Sequence, residues 1–348
     1  MMSGLSMKAA ILEKLNAPLV VDEIVIPKLD VGQVLVKVHC SGICGKQMGE
    51  ISGWYGEDKY LPHLLGHEGG GEVIDIGPGV RNVQKGDHVV MHWRKGIGIE
   101  SVPAKYGRGG GFVGSGLVTS FNEFAVVSEN RLTPVPKDIP FEVSALLGCA
   151  VTTALGIINN EAQLKIGQSI AIYGSGGVGL NVVQAASMVS ADPIIAIDKF
   201  DNKLEIALKY GATHTINSST QDVAEEVRKI VGQPGVEVFV DCTGNVDLIA
   251  QAYELTAASG KTILVGQPRY DQSLMIKSMS KHYGGKQLFA SLGGLTNPTE
   301  DVPRYLKLYR RGKLNLSGLI THNFKLDEIN QALDMMRAGK TGRCVIVM

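Results

Sequence analysis

The sequence predicts two architectures in one chain: an irregular all-β part up to about residue 150, then an α/β part with a doubly wound parallel sheet from about 151 to 290. Three observations predict it. Short apolar runs separated by Gly and Pro fill the first part, strand-like and helix-like stretches alternate in the second, and a glycine run, Gly174-Ser-Gly-Gly-Val-Gly179, lies where a strand pattern gives way to a helical one. Strands alternating with helical stretches imply right-handed crossovers and hence parallel pairing.

In the first part, strands are expected at 33–40, 71–76, 88–92 and 123–127. In the second, buried strands are expected at 169–173, 193–197, 237–241 and 261–265, with a helix over 180–189 rich in Ala and Val. The sequence then returns to the first part through helical segments at 299–311 and 326–338 and a last strand at 343–347. The domains are therefore read as 1–150 with 291–348, and 151–290. At 348 residues the protein is long enough for two cores, and it shows no internal repeat or low-complexity linker.

Composition excludes several functions. Lys plus Arg and Asp plus Glu are 34 each, so no net field draws in nucleic acid or a membrane surface. The first seven residues lack the charged start and long apolar stretch of a secretory signal, and no run approaches membrane-spanning length. Five cysteines fit a reducing compartment better than a disulfide framework, which gives a cytoplasmic expectation.

Cys40, Cys242 and Cys344 fall in strand-like runs and read as small core hydrophobes. Cys44 differs, because it follows a strand in Ser41-Gly-Ile-Cys-Gly45, where glycines let the backbone turn and present a thiolate. His67 sits in Gly66-His-Glu-Gly-Gly-Gly71 rather than on an apolar face, and Cys149 precedes the α/β part. Thiolate, imidazole and thiolate are the ligand types of a catalytic zinc that keeps one position open. The glycine run has the context that makes it a dinucleotide fingerprint, with a buried strand before it and a helix after it. The following strand ends in Asp198, an acid placed to accept hydrogen bonds from ribose hydroxyls and to repel a 2′-phosphate, so NAD is expected over NADP. Metal and fingerprint together describe an oxidoreductase that polarises an alcohol oxygen while a nicotinamide takes the hydride.

The protein resembles the zinc-dependent medium-chain alcohol dehydrogenases over nearly its whole length. The resemblance is carried by Gly42-Ile-Cys-Gly45, Gly66-His-Glu68, Gly86-Asp87, Gly148-Cys-Ala-Val-Thr-Thr153, Gly174 to Gly179, Asp198, Asp241-Cys-Thr-Gly244 and Ile320-Thr-His322, in the family's order. It implies a partly closed, GroES-like β-barrel catalytic domain joined to a Rossmann domain, with the active site in the cleft between them. It also implies one zinc on Cys44, His67 and Cys149, and Glu68 either exchanging onto the metal or standing behind its ligands. For NAD it implies Thr153 against the nicotinamide, Lys203 and Arg343 as cationic contacts, and Gly174, Gly176, Gly177, Val178, Gly179, Asp198, Thr243 and Gly266 around the rest. A homodimer or homotetramer is implied, through a sheet edge at 287–292.

Three departures from the family pattern stand out. After Cys44 the sequence reads Gly45-Lys46-Gln47, so the hydroxyl that usually takes the alcohol proton is missing. Lys46 then reads as a general base, as a recognition group for an anionic substrate, or as a solvated lysine. Gln47 replaces a carboxylate and is expected to hydrogen-bond Arg343, while Gly49 stands near the family's relay histidine. Finally, 92–119 contains no cysteine, so the family's second, structural zinc is not expected; that glycine-rich stretch is either mobile or fixed by contacts not visible in sequence. Trp93 reads as a wall of the substrate pocket or as an ordinary packed tryptophan, and Arg94, Lys95, Lys105 and Arg108 suggest either an anionic or polyhydroxylated substrate or a solvated loop. The substrate class is left as a primary alcohol, a polyol, or a sugar or cyclitol secondary alcohol. The rival readings are a zinc-free enone or quinone reductase, which would not need the ligand set, and a non-catalytic cofactor-binding protein, which would lose it.

Overall fold

Aliphatic and β-branched runs build the α/β unit. The strands Ile170–Tyr173, Ile194–Asp198 and Val236–Asp241 are buried along almost their whole length, as in a parallel sheet covered on both faces. In this computed structural model, which describes residues 4–277 and 279–348, the strand order is His214–Asn217, Ile194–Asp198, Ile170–Tyr173, Val236–Asp241, Thr256–Leu264, Gln287–Ala290, parallel throughout. The polypeptide runs from Ile170–Tyr173 to one side and later restarts on the other, so the order reverses beside that strand, where open α/β sheets take their ligands. The glycine run leaves the strand at that point and opens the helix Gly177–Met188.

The remaining residues form a β unit. Ser6–Leu12, Val20–Val25, Lys105–Arg108, Gly111–Gly114 and His63–Leu64 close into a small barrel. A second sheet runs Leu132–Val135, His88–His92, Glu68–Ile76, Gln33–Gly42, Arg343–Val347, Ile320–Lys325, with Phe124–Ser128 also paired to Gln33–Gly42. The C-terminal strand pairs antiparallel with the end of Gln33–Gly42, Val345 opposite Gly42, which carries Arg343 to the segment holding Cys44. The protein divides into Met1–Ala150 with Asn297–Met348, and Val151–Thr296. Among the described residues no helix is long and apolar enough to cross a membrane. The first three residues, on which the expectation of no leader partly rests, lie outside the described ones.

The first part of the cysteine-free stretch is held by a buried acid and its neighbours. Glu129, 1% exposed, accepts backbone N–H groups from Arg81, Asn82 (2.7 Å) and Ile99 (2.8 Å). Burial works against its charge, but those donors outweigh it and hold the carboxyl below its ordinary range. Arg131 donates to the Trp93 carbonyl and to Glu100 (3.2 Å), and Gly96 N–H donates to the Asn130 carbonyl (2.8 Å). Residues 93–101 are thus tied to the segment 128–131 by side chains that only the fold brings near them.

Candidate active site

Cys44 leaves the strand Gln33–Gly42 and starts the short helix Gly45–Ile51, His67 directly precedes the strand Glu68–Ile76, and Cys149 lies between the helices Phe141–Leu146 and Ala150–Gly156. These segments bring the Cys44 and Cys149 sulfurs and an imidazole nitrogen of His67 within 4.8 Å of one another. Nε2 of His67 faces the sulfurs, 3.3 Å from Cys149 Sγ. The hydrogen bond with Cys149 holds the Cys44 thiol well below its ordinary pKa and raises that of Cys149, so the two sulfurs compete for one proton. Burial pulls the His67 pKa down, but its hydrogen bond to Cys44 and that thiolate's charge outweigh burial and raise it. A soft, anionic, partly buried donor set of this composition fits zinc, which would hold both sulfurs as thiolates.

Glu68 is not part of this cluster. It is fully buried and ion-paired with Arg343, whose Nη1 donates to the Ile43 carbonyl at 2.8 Å. Burial pushes the Glu68 carboxyl up, opposed by the Arg343 charge. The amide hydrogen bond expected between Gln47 and Arg343 is replaced by a different pairing. Gln47 Oε1 accepts from Cys44 N–H at 3.0 Å, and the other end of the amide is hydrogen-bonded to His67 Nδ1. Gln47 sits three residues into the helix, so its side chain folds back over the helix start and reaches the imidazole rather than the guanidinium. It therefore contacts the His67 ring on the side away from the sulfurs, a pairing the primary sequence did not reveal.

Lys46 lies with its ammonium 3.2 Å from the centroid of the Tyr55 ring, and burial lowers its pKa. Glu50, one helical turn on, has its carboxyl raised by burial, with Lys46, His67 and His63 acting in the opposite direction. Neither Tyr55 nor Glu50 stood out in the sequence. The one signal it held was the four-residue spacing from Lys46 to Glu50, which puts both on one helix face. Arg108 is paired with Glu13 (2.6 Å) and Asp22 (2.7 Å), and Lys95 with Glu100 (3.0 Å), so these two cations neutralise acids of their own unit.

In the α/β unit, Gly174 takes φ +88, and a Cβ at Gly179 would lie 1.8 Å from the Gly174 carbonyl oxygen, so the turn closes only with glycine there. Asp198 accepts Ser175 N–H (2.8 Å) and Phe200 N–H (3.1 Å), which ties the end of its strand to the glycine turn. Asp241 accepts the Thr243 hydroxyl (2.6 Å) and Gly244 N–H (2.9 Å), while Gly266 N–H donates to the Asp241 carbonyl (3.0 Å), bringing Thr243 and Gly266 together. Lys203 and Lys199 each lie 5.1 Å from the Phe200 ring centroid, beside Asp198. Gly176 caps the helix Gly177–Met188, whose first turn contains Val178. Thr153 is buried on the helix Ala150–Gly156.

A family model described as zinc-binding dehydrogenase matches residues 177–311, and one described as alcohol dehydrogenase GroES-like domain matches residues 30–137. An S-(hydroxymethyl)glutathione dehydrogenase of Paracoccus denitrificans is 30% identical over 98% of this chain and 99% of its own. One from Synechocystis sp. is 32% identical over 97% and 99%. The crystal structure of benzyl alcohol dehydrogenase from Acinetobacter calcoaceticus superposes with a TM-score of 0.89 at 29% identity, over 99% of each protein.

Proposed function

The chain belongs to the zinc-dependent medium-chain alcohol dehydrogenases and transfers a hydride between an alcohol and NAD, and from that premise we propose the role of each site residue. Cys44, His67 and Cys149 hold the zinc, and the observation that carries this is their convergence within 4.8 Å. When bound, the zinc polarises the alcohol oxygen and the nicotinamide accepts the hydride. With zinc on His67 Nε2 the ring proton sits on Nδ1, and Gln47 fixes the ring from its far side by turning its amide oxygen to that proton. Glu68 stands behind the ligands with its charge balanced by Arg343, which makes it a supporting carboxylate rather than a resident ligand, and occupies Arg343 with Glu68 and Ile43. Lys46 contacts the substrate end of the reaction, either taking the alcohol proton or binding a polar group beside the carbinol.

On the cofactor side, the backbone N–H groups of Gly176, Gly177, Val178 and Gly179 at the helix start receive the pyrophosphate. Asp198 receives the ribose hydroxyls, with Lys203 at its flank. Thr153 orients the nicotinamide, and Thr243 and Gly266 line its approach. The protein assembles as a homodimer or as a tetramer of dimers. Support comes from Gln287–Ala290, an edge strand of the sheet, followed by Leu292 and Leu295, which are 57% and 55% exposed. A reducing, cytoplasmic setting is supported by five cysteines that are all free. Among a primary alcohol, a polyol and a sugar or cyclitol alcohol, Lys46 on the helix that Cys44 starts supports a substrate bearing further polar groups. A panel of primary alcohols, polyols and cyclitols with NAD and with NADP, followed by absorbance of the reduced cofactor, tests this. Preference for unsubstituted aliphatic alcohols would reject the polar-substrate reading.

A further inference from the structure

We propose that Tyr55 is a positioning residue for Lys46: its ring face holds the ammonium beside the Cys44–His67 pair, in room that exists because residue 49 is glycine. The argument begins with the backbone. The helix Gly45–Ile51 stops at Ser52, Gly53 turns with φ +65, and Trp54 N–H donates to the Gly49 carbonyl at 2.9 Å. That turn folds the backbone back onto the helix and lays Tyr55 across it. A Cβ at Gly49 would stand 2.7 Å from the Tyr55 hydroxyl oxygen and 3.0 Å from the ring carbon bearing it. Any larger residue at 49 therefore displaces the ring, and the ring that fits there lies 3.2 Å from Lys46 Nζ.

The physical reason for the contact is the aromatic quadrupole. Lys46 is partly buried on the helix that Cys44 starts, where its ammonium has lost some of its water, and a ring face replaces hydration with attraction. A flexible lysine with four rotatable side-chain bonds would otherwise sample many positions. The Tyr55 ring restricts those positions, and Glu50 on the same helix face adds opposite charge. Lys46, Gly49 and the aromatic ring at 55 thus form one coupled set, so removing the ring or filling its room breaks the arrangement. This rests on the reading of Lys46 as a group that meets the substrate, and it adds that Tyr55 fixes where that group stands.

The test measures how fast Lys46 is acetylated by a water-soluble N-hydroxysuccinimide acetate in the zinc-loaded protein, by peptide mass spectrometry, with Lys59 as internal reference. Tyr55→Leu is expected to speed labelling about fivefold or more, the scale of losing a partly desolvated ammonium–ring contact. Tyr55→Phe keeps the ring and is expected to stay within about twofold of the unaltered protein, since the attraction comes from the ring face rather than the hydroxyl. Gly49→Ala is expected to behave like Tyr55→Leu, and it decides the matter if Tyr55→Leu loses its zinc. Labelling that stays unchanged in a zinc-retaining Tyr55→Leu or in Gly49→Ala overturns the proposal. Faster labelling combined with normal turnover in Lys46→Ala would instead leave the clamp standing and reject the catalytic reading of Lys46.

Discussion

Lys46 replaces the hydroxyl residue that the family places after its first zinc cysteine, and it is the site residue whose chemistry is least fixed by the family pattern. If it takes the alcohol proton, Lys46→Ala lowers turnover about 100-fold with zinc content intact, the usual scale for loss of a general base. If it binds a remote polar group, the Michaelis constant rises and turnover is retained, so steady-state kinetics with zinc analysis on the same samples separates the two. Asp198 carries the second prediction. NAD should bind about tenfold or more tighter than NADP, because a 2′-phosphate would face a carboxylate, and Asp198→Asn should narrow that gap while keeping an acceptor for Ser175 N–H. Fluorescence titration of both cofactors measures it, and equal affinities in the unaltered protein would mean Lys199 or Lys203 compensates. The convergence of Cys44, His67 and Cys149 was legible in the sequence because each lies in a short local motif. Gln47 was misassigned, and Tyr55 and Glu50 passed unnoticed, because their partners are chosen by a helix start and a tight turn that residue types alone do not specify.

Among the elements, the central strands of the α/β unit were readable to within about five residues because continuous Ile, Val and Ala runs leave little alternative, whereas the edge strand His214–Asn217, short and half polar, was not foreseen. The closed barrel was expected only from the family resemblance; its strands Lys105–Arg108 and Gly111–Gly114 lie in a glycine-rich stretch with no clear alternation, and the barrel closes through partners far away in sequence. Glu129 explains how the stretch before them holds its shape. Glu129→Gln should destabilise the protein by about 2 kcal/mol, since hydrogen bonds to a charged acceptor are lost in a buried place. Urea midpoints would show the cost, and an unchanged midpoint would mean the loop is held by Arg131 instead. His92, at the end of the strand His88–His92, gives a pH signature. Its Nδ1 is 2.7 Å from the Arg94 carbonyl and its Nε2 2.9 Å from the Thr133 hydroxyl, which suits a neutral ring that donates through Nδ1. Burial pushes its pKa down to about 4. The unfolded state therefore binds the proton more readily, so stability is full above about pH 6.5, falls as pH drops toward 4 and levels off below, by on the order of 3 kcal/mol. His92→Gln should flatten that part of the pH dependence of urea midpoints, and an unchanged slope would assign it to other groups.

For the molecule as a whole, the division into a β unit and an α/β unit follows from the change in periodicity along the sequence, and the return of the C-terminal segment to the β unit has a chemical consequence. The strand Arg343–Val347 brings Arg343 to Glu68, so a residue near the end of the sequence neutralises a carboxylate behind the metal site. Assembly is tested by light scattering at micromolar concentration: a dimeric or tetrameric mass is expected, and Leu288→Lys on the edge strand should shift it toward monomer by setting like charges across a two-fold axis. A monomeric mass in the unaltered protein would reject pairing through that edge. The claim on which the rest depends is that Cys44, His67 and Cys149 hold a catalytic zinc. Elemental analysis of protein purified without chelator, beside Cys149→Ala, tests it most directly. About one zinc per protomer in the unaltered protein, and loss of both zinc and alcohol oxidation in Cys149→Ala with NAD binding retained, is the expected result; active protein with zinc near zero, or activity that survives Cys149→Ala, would contradict it.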